Sequence, residues 1–197
     1  MRYYFLLFLF PLVLFAEPHI LKDHFVHEAY LTNEQGNIIL KAVPEKPPAE
    51  LSERVPKNNI SGAIWVPGYW AWSEDHDNHV WISGTWRVPP PGHEWISGKW
   101  KQFEEGWVWL QGFWSPHDEG DLTYLHSSPP DVVDEDVGTP PGKNYFWIPG
   151  HWRFSEEKST FVWFMGRWQE FDEKWQYVPA HYVWREKGYV FIDGYWD

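Results

Sequence analysis

The chain of 197 residues contains no cysteine, so neither a disulfide nor a lipid-modified N-terminal cysteine can form. Basic residues are in deficit, with 16 Lys and Arg against 28 Asp and Glu, a formal charge of -12. Such a chain repels phosphate backbones, which argues against nucleic-acid binding. After residue 16 no apolar run is long enough to cross a membrane as a helix. Leu and Ile are sparse in the region that follows residue 60, so a core there must come from other side chains. No G-x-S-x-G or comparable nucleophile–base signature occurs, and no catalytic residue is assigned.

Tryptophan fills that deficit. All 17 Trp lie between Trp65 and Trp196, and aromatic residues make up 20% of the chain. Most fall in a hexapeptide of form Trp-x-x-Gly-x-Trp. The copies are Trp65, Gly68, Trp70; Trp81, Gly84, Trp86; Trp95, Gly98, Trp100; and Trp109, Gly112, Trp114. The pattern returns as Trp147, Gly150, Trp152; then Trp163, Gly166, Trp168; then Tyr177, Ala180, Tyr182; then Phe191, Gly194, Trp196. Within each set of four the spacings are 16, 14 and 14, and the second set lies 82 residues after the first. A period of this kind takes precedence over local readings. The same shift carries Pro47-Pro48, Glu53 and Val55 onto Pro129-Pro130, Glu135 and Val137.

The boundaries implied are a signal peptide over 1–16, an N-terminal extension over 17–46, and a first repeat unit over 47–115. An acidic linker follows over 116–128, then a second unit over 129–197. Arg2, the apolar Tyr3–Phe15 and the small Ala16 give the leader its form. Pro116 to Lys143 carries seven acidic residues and one Lys, the composition of a surface connection. Val132, Val133 and Val137 there, with Leu51 and Val55, are expected to dock on a sheet.

The repeat reads as strand. Pro67-Gly68 and Pro149-Gly150 exclude helix interiors, and Trp, Tyr, Phe, Val and Ile suit a pleated surface. Turn sequences separate the copies, among them Glu104-Glu105-Gly106, Asp172-Glu173-Lys174 and Glu186-Lys187-Gly188. The expected fold is all-β: two four-stranded antiparallel meanders packed as a sandwich, with a closed barrel as the alternative. Trp residues five apart would face opposite sides of a regular strand. Either a bulge at the Gly restores one face, or an indole from the neighbouring strand lies over the bare Gly backbone. Ala180 argues against a bulge of left-handed geometry in its own copy. A membrane barrel is excluded because Pro-Gly, Ser-Gly or Asp-Gly would sit at mid-strand in lipid.

Eight ordered copies make the chain resemble the bacterial WXXGXW (YXWGXW) repeat proteins. The resemblance implies an exported envelope protein and says little of chemistry.

Three chemistries fit the residue types. Indole faces stack on sugar rings, and Trp72, Trp107, Trp175, Trp184 and Tyr189, outside the hexapeptide positions, are the candidate exposed rings. The motif Trp residues are expected to be core. Asp75, His76, Asp77 and His79 cluster in one turn, but the corresponding turn, Glu156 to Phe161, keeps no His, and no metal or other cofactor is assigned. Glu104-Glu105 and Glu156-Glu157 are adjacent in turns, not opposed across a cleft as hydrolytic pairs are, so a hydrolase is the remote reading. The expected function is non-catalytic binding or scaffolding in the bacterial envelope. The partner is a glycan such as peptidoglycan, or an envelope protein or second copy held through edge strands.

Overall fold

The computed structural model describes residues 20–21, 41–116, 118–170 and 177–196. The leader, most of the N-terminal extension, the Asp172–Lys174 turn and Trp175 lie outside the described residues. The described chain is all-β, with one 3-10 turn (Glu119–Asp121) and no α-helix among those residues.

Motif copies pair two by two. In the first hairpin β3 (Ile64–Val66) and β4 (Tyr69–Ser73) run antiparallel to β6 (Thr85–Arg87) and β5 (Asn78–Ile82), setting Trp65 opposite Trp86 and Trp70 opposite Trp81. The second hairpin joins β7 (Glu94–Ile96) and β8 (Lys99–Phe103) to β10 (Phe113–Ser115) and β9 (Gly106–Leu110). The third joins β11 (Tyr145–Ile148) and β12 (His151–Ser155) to β14 (Arg167–Glu170) and β13 (Thr160–Phe164). The fourth joins β15 (Tyr177–Val178) and β16 (His181–Arg185) to β18 (Tyr195–Trp196) and β17 (Gly188–Ile192). Each first Trp-type residue of one copy thus faces the last of its partner.

The spacings follow from the turns. The first and third hairpins close through four residues, with Asp77 and Ser159 at φ 46° and 49°. The second and fourth close through Glu104-Glu105 and Glu186-Lys187 onto Gly106 and Gly188 at φ 137° and 136°. Two fewer turn residues account for a step of 14 in place of 16.

Pairing into small hairpin sheets replaces the expected four-stranded meander. Among the described residues no ladder joins β6 to β7 or β14 to β15, and no barrel closes. Val88 is followed by Pro89-Pro90-Pro91, which have no amide hydrogen for a further ladder. Short additional strands cap the edges instead. β1 (Ile20–Leu21) runs parallel to β5, and β2 (Ala42–Val43) antiparallel to β9. Val43 pairs with Trp107, and Leu125 forms an isolated bridge to Tyr189. Both pairs are 82 apart, so the structural repeat reaches back to Val43 and Leu125, where the two sequences differ.

The four hairpins pack in the order first, second, fourth, third. Tyr69 stacks on Trp109 at 4.5 Å, and its counterpart His151 stacks on Phe191 at 5.7 Å. His79 meets Trp100 edge-on, as Phe161 meets Tyr182. The second and fourth hairpins then face each other, with Phe103 against Trp184 and His93 against Tyr195. The shared core holds Val66, Ile96, Phe113, Trp114, Leu122, Val178, Val183, Val190, Ile192 and Tyr195. Aromatic burial on this scale supplies the apolar area that scarce Leu and Ile cannot.

Candidate functional site

The break inside each motif organises the site. In the first hairpin the register of β3 with β6 continues unchanged into β4 with β5, leaving Pro67-Gly68 opposite Ser83-Gly84. Two residues face two in every hairpin, so no residue is inserted, and of the two alternatives for the five-residue Trp spacing the bulge does not form. The motif glycines lie outside the positive-φ set. They are bare because a ring from the opposite strand occupies the space: a Cβ on Gly68 would meet Trp81 Cζ2 at 2.7 Å. Trp65 covers Gly84, Trp109 covers Gly98, Trp95 covers Gly112, Trp163 covers Gly150, Trp147 covers Gly166 and Tyr177 covers Gly194. In the same scheme Ala180 takes the position that the ring of Phe191, paired in register with Tyr182, would cover, and Phe carries a smaller ring than Trp.

Opening the ladder frees amide groups, and a carboxylate takes them. Glu53 accepts the Gly68 N–H at 3.1 Å, the Gly84 N–H at 3.0 and 3.1 Å, and the Trp81 indole N–H at 2.9 Å. Glu135 repeats this with Gly150 at 3.1 Å, Gly166 at 2.9 and 3.0 Å, and Trp163 at 2.9 Å. Desolvation works to raise the Glu135 pKa, but the Gly166, Trp163 and Gly150 bonds outweigh it and leave the pKa below the ordinary carboxylate value.

Each Glu belongs to a Pro-led extended strap, residues 47–56 and 129–138, lying across a hairpin. Indole N–H groups fasten it: Trp70 donates to the Ala49 carbonyl at 2.9 Å and Trp86 to Pro56 at 3.0 Å. Trp152 and Trp168 donate to Asp131 at 2.8 Å and Val137 at 3.0 Å. Trp81 and Trp86, five apart, therefore reach the same strap. The valines expected to dock do not. Leu51, Val55, Val132, Val133 and Val137 are all exposed, because charge-assisted and indole hydrogen bonds hold the strap by its other side. Glu53 and Glu135 were not assigned a role by sequence reasoning. The signal was there, since they are the one polar residue identical in both straps.

The second hairpin has the same register without a strap among the described residues. A Cβ on Gly98 or Gly112 would meet the other glycine's amide nitrogen at 2.9 Å, where the first and third hairpins present a Glu oxygen. Trp109 turns its N–H to Gln111 Oε1 at 3.2 Å, and Trp100 to the Trp70 carbonyl at 2.7 Å. Trp114 is fully buried and its Nε1 has no acceptor. Beside Gly98 lies a cavity of about 410 Å³ reaching from Trp95 and Lys99 to Asp118, Glu119 and Arg185. Arg185 is 3% exposed. It donates to the Gln111 carbonyl at 3.2 Å and to Glu119 Oε1 at 3.1 Å, with its guanidinium 5.5 Å over Phe113. On the cavity wall the Asp118 carboxylate, as acceptor for the protonated Glu94 carboxyl and as a like charge, raises the Glu94 pKa.

The other predicted site residues are dispersed. Trp72 is half-buried edge-on to His79, and Lys46 lies 5.9 Å over Trp107. Trp184 is half-buried against Phe103, and Tyr189 is half-buried at the Leu125 bridge. His79 is buried between Trp72 and Trp100, whereas His76 pairs with Ser73 in the turn.

A family model described as WXXGXW repeat (2 copies) matches residues 64–87, 77–101, 142–157 and 187–197. The chain carries the WXXGXW repeat. The matched segments contain the copies that begin at Trp65, Trp81, Trp95, Trp147 and Phe191. The WXXGXW copies at Trp109 and Trp163, and the Tyr177 copy, join them through hairpin pairing. Comparisons with curated proteins and with solved structures gave no match.

Proposed function

We propose that this WXXGXW-repeat chain is a non-catalytic scaffolding module of the bacterial envelope, exported through its N-terminal leader, that binds extended segments of protein partners. The observation that carries this is the mode by which the molecule holds its own straps. Backbone amides at a strand break grip a carboxylate while indole N–H groups grip main-chain carbonyls. This recognition reads backbone and one acidic side chain, so it transfers to any segment of that form.

Cell fractionation tests the compartment. A photocrosslinking residue placed at the exposed Lys99, on the rim of the cavity, tests the partner in intact cells. Discrete protein adducts are expected. Their absence, with Trp fluorescence that responds to soluble peptidoglycan fragments, would replace the reading by glycan binding. That second reading rests on Trp72, Trp107, Trp184 and Tyr189, each of which is half-buried.

A further inference from the structure

The third cradle of the molecule differs from the first two in what fills it. Gly68 with Gly84, and Gly150 with Gly166, each close on a Glu carboxylate supplied by the chain. Gly98 with Gly112 sits at the same point of the same register, between Trp95–Trp114 and Trp100–Trp109 pairs. A cationic side chain is added there. Arg185 enters from the fourth hairpin and is bonded to Gln111, the residue before Gly112.

We propose that the break of the second hairpin is a carboxylate-binding site for a ligand from outside the chain. It would be gripped by the Gly98 and Gly112 amides with Arg185 alongside. Two sources present that chemistry: the Glu of a Pro-led extended peptide, and a small free carboxylic acid. The peptide source rests on the scaffolding reading above; the small-acid source does not. One further feature fits a strap-like occupant: the cavity beside Gly98 is open to solvent through exposed Glu94 and Lys99. The acidic wall does not close the site. Glu119 is committed to Arg185, and Glu94 and Asp118 stand exposed at the rim.

The test uses the full chain and a synthetic peptide of sequence 47–56, followed by Trp fluorescence and calorimetry, with succinate as the small-acid probe. Saturable binding is expected from at least one probe. The Glu→Gln form of the peptide should bind at least tenfold more weakly. Gln111→Glu, which brings a carboxylate to Trp109 from within, should weaken either probe by a similar factor. Succinate alone binding assigns a small acid, and peptide binding displaced by succinate assigns a strap. No saturable binding by either probe overturns the proposal. So does a peptide indifferent to its Glu, or binding unchanged in Gln111→Glu, which would put the peptide on the first or third hairpin. Should Gln111→Glu fail to fold by circular dichroism, Gly98→Ala, which fills the cradle, takes its place. Protein adducts at Lys99 with no probe binding would leave the scaffolding reading standing and remove this site.

Discussion

Glu135 accepts the indole N–H of Trp163 at 2.9 Å, and Glu53 accepts that of Trp81 at the same distance. One carboxylate thereby ties a strap to both strands of a hairpin whose ladder is open at that point. Removing the charge while keeping the shape isolates this contribution. Glu135→Gln should lower stability by about 1.5–3 kcal/mol, the range for a charge-assisted hydrogen bond. Thermal unfolding followed by near-UV dichroism reads it, and an unchanged midpoint would show the staple to be idle.

The coincidence of Ala180 in place of Gly with Phe191 in place of Trp in the fourth hairpin makes the glycine rule testable. Gly150→Ala should cost about 1–3 kcal/mol through overpacking against Trp163. Adding Trp163→Phe should restore part of that loss, in addition to the effect of Trp163→Phe alone. A double-mutant cycle by urea denaturation measures the coupling; strict additivity would mean that the ring does not set the residue beneath it.

Acid should weaken the fold in two stages. Desolvation pushes the His181 pKa down to about 4, from an ordinary value near 6.5. The unfolded chain then binds more protons between these values, so stability is full above pH 6.5 and falls as pH drops toward 4. Glu135, whose pKa is also lowered, removes further stability as pH falls below the ordinary carboxylate value. Urea midpoints at pH 7, 5.5 and 4.5 should decrease in that order, and His181→Gln should flatten the first stage. A midpoint that is level from pH 7 to 5 would refute the desolvation of His181.

Strap release should be local. Trp70→Phe and Trp86→Phe each remove one N–H to a strap carbonyl, worth about 1 kcal/mol. Limited proteolysis should then cut within residues 47–58 before the hairpins are attacked. Cleavage that begins in the 104–106 turn instead would show that these bonds do not hold the strap.

Strand content, antiparallel pairing and the aromatic core were legible from composition and period. Side chains as large as Trp at fixed spacing, broken by Gly and Pro, leave little but short twisted strands. The choice between a bulge and ring-over-glycine packing was legible only as an alternative. Ala180 pointed toward the second, but it needed the hairpin register, which puts Phe191 in the covering position of that copy, to become an argument. The straps misled because exposed Leu51 and Val132 look like anchors, whereas the anchor is an acidic residue that usually faces solvent.

The sequence by itself determined the period, the duplication at 82 residues and the β class, because these depend on local preference and side-chain volume. Only the tertiary structure decided which copies pair, where each Glu goes, and that among the described residues the second hairpin is left without one. A carboxylate is drawn in only where a ladder opens and two amides converge, and that convergence is set by register between strands distant in the chain.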